Sequence, residues 1–369
     1  MITFASMKQV SLCWFLISFC VSVRAQIGGD ATTRFLNLPF SARAEAVGGK
    51  AYSILDNDVS LAWQNPSLLT DKMHNRASFT YVNYFGTNMG AASYARTLEK
   101  SKVNVWGGIH FVNYGKFTGA DETGTVTGNF SVGDYALTAG ASRSFGKYFN
   151  IGMNARLNFS QMAEYFSMGA GLDLGASYIS KNKLFVTSVL VRNVGMQFVT
   201  YTRGNREPLP LDVAVAASHE FDRLPLRISV VAHNLQKPDM SYVDSALVNQ
   251  TDLSGQSSYK GPSLASKIMS HFTIAAELYP FKRIISIRVG YNFQRRYELK
   301  PQEKGRAIGI TYGIGVRINR FEINYARAEY YITGASPNTL TLNVNLGPMP
   351  KKVKKSAEPA PAPPPTSSR

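Results

Sequence analysis

Arg43, Asp56, Asp58 and Asn65 lie within one short stretch and supply a guanidinium, two carboxylates and an amide. In a water-excluded setting such groups form ion pairs and charge-assisted hydrogen bonds, here with strand residues such as Asp173 or Arg317, which would lock the segment in place. Asp56 and Asp58 also suit helix capping, and Trp63 and Pro66 complete the expected contact set. Catalytic chemistry has no comparable cluster. His74, His110, His219, His233 and His271 are scattered without ligand spacing. There is no G-x-S-x-G elbow and no P-loop, and the G-x-G fragments at 169–171 and 313–315 lack the third glycine. Asp121 and Glu122 fall in a Gly/Thr-rich loop. No enzyme activity, cofactor or metal is expected.

The charged stretch belongs to a segment at 34–70 that reads as the helical part of the mature chain. Ser41 can cap a helix through Ala42, Ala44, Glu45 and Ala46, and Gly48 with Gly49 can end it at positive φ. A second short turn runs from Asp56 and Asp58 through Leu61, Ala62 and Trp63, with Pro66 expected to terminate it.

Residues 1–25 carry Lys8, an apolar run and Val23-Arg24-Ala25 before Gln26, which read as a secretory signal peptide; Met7 is an alternative start. Both cysteines, Cys13 and Cys20, fall inside it. Bulky Phe19 argues against lipid attachment at Cys20, and the mature chain has no disulfide framework. Net charge is +16, or +14 once Lys8 and Arg24 are removed. An exported chain with dispersed cations calls for no nucleic acid; acidic or phosphorylated lipid and acidic proteins are the matching anions.

From residue 77 to 347 the chain divides into about fourteen segments of alternating apolar and small or polar residues. Leu340, Leu342, Val344 and Leu346 alternate with Thr341, Asn343 and Asn345; Ile285, Ile287, Val289, Tyr291 and Phe293 alternate with Ser286, Arg288, Gly290 and Asn292. Most segments run about nine to twelve residues, which suits tilted membrane strands. Aromatics such as Phe79, Tyr81, Phe145, Tyr148, Phe149, Tyr279 and Phe281 sit near strand ends as interfacial girdles would.

The pattern predicts an all-β fold: a fourteen-stranded antiparallel transmembrane barrel with a small helical plug at 26–76. Short connections alternate with longer ones at 113–133, 160–165, 195–210, 236–269 and 295–306, which predicts an outer-membrane barrel with both termini periplasmic, long loops outside and the plug entering from the short-turn side. After residue 347 a basic, Pro/Ala-rich tail at 348–369 reads as an extended periplasmic spacer or tether. The longest loop carries Tyr242, Val243, Leu247, Leu253 and Tyr259 among polar residues, a composition suited to a partner interface. Asp244-Ser245-Ala246 in the same loop is similar to a short O-glycosylation site.

Phe35-Leu36, Leu38-Pro39, Ser41-Ala42-Arg43, Gly48-Gly49, Asp56, Asp58-Val59-Ser60-Leu61 and Asn65-Pro66 together resemble the N-terminal signature of the PorV/PorQ family of the Bacteroidota type IX secretion system. The resemblance covers about forty residues. It implies a FadL-like fourteen-stranded barrel and a non-enzymatic anchoring role in an attachment complex. Its implied partners are a PorZ-like surface protein, through it the PorU sortase and PorV, and outer-membrane lipid and lipopolysaccharide. A FadL-like channel for hydrophobic small molecules is the alternative.

Overall fold

The computed structural model describes residues 31–84, 86–240, 261–281, 283–298, 307–330 and 336–347. The signal-peptide and tail expectations, Ser245 and the partner-loop residues Tyr242, Val243, Leu247, Leu253 and Tyr259 lie outside these.

Fourteen strands close into one antiparallel barrel in sequence order. The first seven are β1 Arg76–Tyr84, β2 Thr87–Leu98, β3 Val103–Ala120, β4 Val126–Phe145, β5 Phe149–Met162, β6 Tyr165–Ile179 and β7 Phe185–Val199. The remainder are β8 Asp212–Glu220, β9 Leu226–Ala232, β10 Phe272–Leu278, β11 Ile285–Asn292, β12 Ile310–Ile318, β13 Phe321–Ala328 and β14 Asn338–Asn345. Pairing of Arg76 with Asn345 through Asn83 with Asn338 joins β1 to β14. Closure leaves no open edge, the condition for a sheet to lie in hydrocarbon.

The two-residue period decides which face each side chain takes. Ile151, Met153, Leu174, Val189, Ile287, Ile314 and Leu340 stand outward and exposed, while Asn154, Arg156, Asp173, Arg288, Asn324 and Thr341 point inward and are buried. An apolar exterior around a polar, filled interior is the arrangement of an integral outer-membrane barrel.

Several expectations about the connections change. The stretch 113–133 is mostly strand, because β3 and β4 continue as a long hairpin to a turn at 121–125; 160–165 reduces to the turn between β5 and β6. Beyond the apolar belt both hairpin faces meet water, so alternation fades although pairing continues. The chain is also helical outside the plug, over Leu264–Met269 and Phe293–Glu298. The first is capped by Ser263, whose side chain accepts from the Ser266 amide; in the second, Asn292 Oδ1 accepts from the Arg295 amide 3.0 Å away. Phe293 therefore begins a helix instead of ending β11, and Ile308 is buried outside the strands.

Inside the barrel, α1 (Ala42–Ala46) and four 3-10 turns form the plug. The Ser41 side chain accepts from the Ala44 amide, and Gly48 and Gly49 follow at φ 87° and 84°. Asp58 caps the turn Val59–Trp63 and Asn65 caps Pro66–Leu68. Pro66 therefore starts a turn instead of terminating one: it occupies the first position, where a missing N–H costs nothing. The described plug begins at the end of the longer connections, where Ala31 and Arg34 line the mouth, and descends to the short-turn end at Lys72 and Arg76. This differs from the expected entry from the short-turn side.

Candidate functional site

Among the described residues, three groups of buried contacts hold the plug together with the pair of Arg295 and Glu45 at 2.8 Å. In the first, Arg43 Nε lies 2.9 Å from Glu277 Oε1 on β10, and Arg43 Nη1 lies 2.7 Å from Asp56 Oδ2. Arg227 and Arg288 reach the same Glu277 at 3.0 Å each, and both Arg43 and Arg227 donate to the Tyr279 hydroxyl. Three guanidiniums thus share one wall carboxylate. In the second, Tyr52 donates to Asp212 at 2.8 Å and accepts from Arg192 at 2.6 Å, while Lys50 stands 3.4 Å from Asp212. In the third, main-chain groups of the plug are read by the wall. Ala42 N–H donates to Thr341 Oγ1, Gly48 N–H to Thr311 Oγ1, and Asn154 and Ser142 donate to the carbonyls of Ala62 and Leu69.

Arg43, Asp56 and Asp58 lie on one side of the plug, and Trp63, Asn65 and Pro66 on another. The wall partners proposed for the charges are different ones. Asp173 is occupied by Arg156 at 2.8 Å, and Arg317 by Glu322 at 2.6 Å. The wall charge that meets Arg43 is Glu277, 234 positions away in the chain. Its only mark in the sequence is a lone carboxylate at an inward position of an apolar strand. Asn65 is a local organiser, accepting from Ser67 and donating 2.6 Å to the Tyr52 carbonyl. Pro66 packs on the wall where Gly152 leaves room: a Cβ there would lie 2.4 Å from the Pro66 carbonyl carbon.

Environment separates the two plug carboxylates. Burial alone would push Asp56 up, but Arg43 and Arg227 override it and hold Asp56 well below the usual carboxylate range. Burial, reinforced by Glu322, pushes Asp58 up against the opposing pull of Arg43 and Ser60. Asp58 Oδ1 accepts from the Ser60 amide and hydroxyl, whereas its Oδ2 has no hydrogen-bond partner among the described residues.

On the β1–β4 side the lumen is apolar. Phe35, Phe40, Trp63, Trp106, Leu69 and Met73 form one buried cluster that also takes in Leu209 from the connection between β7 and β8. Phe40 stacks on the buried His110 at 4.1 Å between ring centroids. Among the described residues, no group of three or more His, Cys, Asp or Glu side chains could hold a metal ion.

Among the described residues, several concavities lie around this packed interior. A vestibule of about 720 Å³ opens at the long-connection end, lined by Leu38, Pro39, Pro210, Leu211 and Met240 together with polar and charged residues that include Asn37, Lys50, Asn234, Arg295 and Glu298. On the outer wall a dent of about 470 Å³ is lined by Leu137, Ala155, Leu157, Gly171, Gly195 and Met196 among others. At the short-turn end lies a basin of about 660 Å³.

The wall is thin at the dent. Ladder pairing of β7 with β8 stops at Arg192 with Asp212, leaving one isolated bridge between Met196 and Pro208. A register shift falls between Leu172 and Leu174 of β6. Cβ atoms built on Gly171 and Gly195 would lie 3.2 and 2.8 Å from Leu209 Cδ1, so this leucine backs both glycines from within.

No protein-family model and no curated protein matches the chain. Solved barrels do. A TodX monoaromatic hydrocarbon channel mutant aligns over 83% of this chain and 97% of its own at 12% identity and TM-score 0.44. A FadL homologue of Pseudomonas aeruginosa aligns over 83% and 98% at 10% identity and TM-score 0.45. The outer membrane protein Omp33 of Acinetobacter baumannii aligns over 73% and 95% at 9% identity and TM-score 0.35. Likeness at this level bears on neither substrate nor partner.

Proposed function

We propose that this barrel is a plugged, non-enzymatic passage for hydrophobic small molecules, which enter at the vestibule and leave sideways through the wall at the dent. The observation that carries the reading is the position of Leu209. Its neighbours Pro210 and Leu211 line the vestibule, while its own side chain backs Gly171 and Gly195 beneath the dent. One residue therefore stands between an entrance of mixed apolar and charged lining and the lipid-facing surface. Apolar solutes gain by moving from water into such a route, at about 25 cal/mol per Å² of surface buried. The ion-paired plug keeps the axial path shut, so passage needs only a local shift of the connection between β7 and β8. Uptake of a labelled aromatic hydrocarbon by liposomes carrying the protein tests it.

A second reading is an anchor of the type IX attachment complex, which holds a PorZ-like surface partner that works with PorU and PorV. It is favoured by the signature residues at 35–66, which build the plug and fix it to the wall through Arg43 and Glu277. A filled, rigid barrel leaves its surface loops for partner contact. The test is a pull-down from outer membranes with and without residues 241–260. Recovery of a large surface protein only with the intact chain supports this reading, and recovery of none from a well-inserted barrel counts against it.

A further inference from the structure

Ladder pairing alone does not hold Leu209 in place. β7 and β8 part after Arg192 and Asp212, and residues 200–211, which carry Leu209, form a strap across the gap. Among the described residues its fastenings to the wall include the Met196–Pro208 bridge, the Tyr201 hydroxyl on Ser160 and the Glu207 amide on Gln197 Oε1 at 3.1 Å. The fastening next to Leu209 is the Pro210 carbonyl. It accepts from Asn193 Nδ2 of β7 at 2.9 Å and from Asn37 Nδ2 of the plug segment at 3.4 Å. Asn193 Nδ2 also donates to Asn37 Oδ1 at 2.9 Å, so wall, plug and strap meet at two amides.

A bulge places Asn193 for this contact. Leu172 pairs with Val194 and Leu174 with Val191, so Arg192 and Asn193 together face Asp173 alone. Asn193 stands at φ 57°, a left-handed conformation that asparagine tolerates better than most residues. The extra residue turns two successive side chains inward, and both Arg192 and Asn193 are buried. Partners dictate the amide orientation. Arg156 Nη1, which can only donate, lies 2.6 Å from Asn193 Oδ1, so Nδ2 faces the Pro210 carbonyl. Asp173 fixes this arrangement from behind, accepting from the Asn193 main-chain N–H and from Arg156 at 2.8 Å each.

We propose that Asn193 is the latch of the side exit: its amide holds the Pro210 carbonyl, and through it Leu209, against Gly171 and Gly195. The inference rests on the passage reading and names its control. Breaking such neutral hydrogen bonds costs less than breaking the buried ion pairs that fix the plug, so the strap can yield while the plug stays shut. Asn37 and Pro210 line the vestibule with Leu38, Pro39 and Leu211, so an apolar solute lodged there bears on two members of the latch. It displaces Asn37 from Pro210 and offers no hydrogen bond in return. Occupancy of the vestibule therefore favours release, and release favours occupancy.

The test is hydrogen exchange of the full-length protein in mild detergent, read in peptides that span 200–211. Asn193→Asp keeps the shape and an acceptor for Arg156 but exchanges the two N–H donors for a carboxylate oxygen. Asn193→Gly suits the bulge backbone and removes the side chain altogether. Heat-modifiable gel migration checks that each variant is folded. The proposal predicts roughly tenfold faster exchange in 200–211 for both variants, a smaller rise for Asn37→Ala, and little change in 165–191. It also predicts that naphthalene speeds exchange in 200–211 of the unaltered protein, and that liposomes carrying Asn193→Asp take naphthalene up several-fold faster. Unchanged exchange in 200–211 of both folded variants, or an equal rise across 165–191, would overturn the latch whatever the unaltered protein transports. A strap that loosens in the variants while no form of the protein carries naphthalene faster than bare lipid would instead overturn the passage reading, with the fastening itself upheld.

Discussion

Arg43 of the plug and Glu277 of β10 meet at 2.9 Å with both side chains almost wholly excluded from solvent. Arg227 and Arg288 converge on the same carboxylate, so the contact is the hub of a network and ties an N-terminal segment to the second half of the barrel. Glu277→Gln should therefore be more damaging than Arg43→Met. It leaves three guanidiniums without their shared charge, and the loss of a partner from a buried pair costs about 3 to 5 kcal/mol. Thermal unfolding followed by gel migration checks the order of the two variants. Limited proteolysis shows whether the plug opens before the barrel does.

Acid should act on the two plug carboxylates with opposite sign. The folded value of Asp56 is depressed, so its contribution is fully present above the unfolded value of about 4 and is lost as pH falls through the folded one. The lock should hold from neutrality to mild acid. Asp58 is raised, so ionising it costs stability as pH rises through its folded value. Asp58→Asn keeps an N-cap acceptor and should stabilise the protein at pH 7 by about 1 kcal/mol, an advantage that shrinks in acid. Unfolding midpoints between pH 4 and 8 measure it; a loss of stability at pH 7 contradicts the assignment.

Gly152→Ala should dislodge the plug without touching any charge. The added methyl would meet backbone atoms of Pro66 and Ser67, with contacts of 2.4 to 2.6 Å that no side-chain rotation relieves. Overpacking of this kind costs about 1 to 3 kcal/mol. Increased protease access within residues 62–70, with the barrel still heat-modifiable, is the expected outcome.

The strand count and the outward face were legible because membrane strands repeat every two residues over long stretches, as in 285–292 and 339–345. The plug turns were legible because Ser41, Asp58 and Asn65 announce caps and paired glycines announce a stop. The two arms of the long hairpin, Asn113 to Ala120 and Val126 to Gly133, read as loop because water on both faces removes alternation. The helix over Leu264–Met269 is six residues long, too short to set up a periodic pattern. Pairing across the lumen was not legible at all. Asp173 and Arg317 were reasonable partners by charge, yet Arg156 and Glu322 hold them, and only the closure of the barrel brings Glu277 to Arg43. The same holds for Leu209, whose importance arises from two glycines on β6 and β7 that a linear reading does not set beside it.

The most direct measurement is the rate at which liposomes carrying the protein take up a labelled aromatic hydrocarbon, compared with Leu209→Ala and Ala155→Trp. The first variant removes the side chain that divides vestibule from dent, and the second fills the dent from the lipid face without entering the lumen. A lateral route predicts faster uptake with Leu209→Ala and slower uptake with Ala155→Trp, each by several-fold relative to the unaltered protein once the protein-free rate is subtracted. Equal rates for all three folded proteins, no higher than for bare lipid, would contradict the passage and leave the anchor as the reading to pursue.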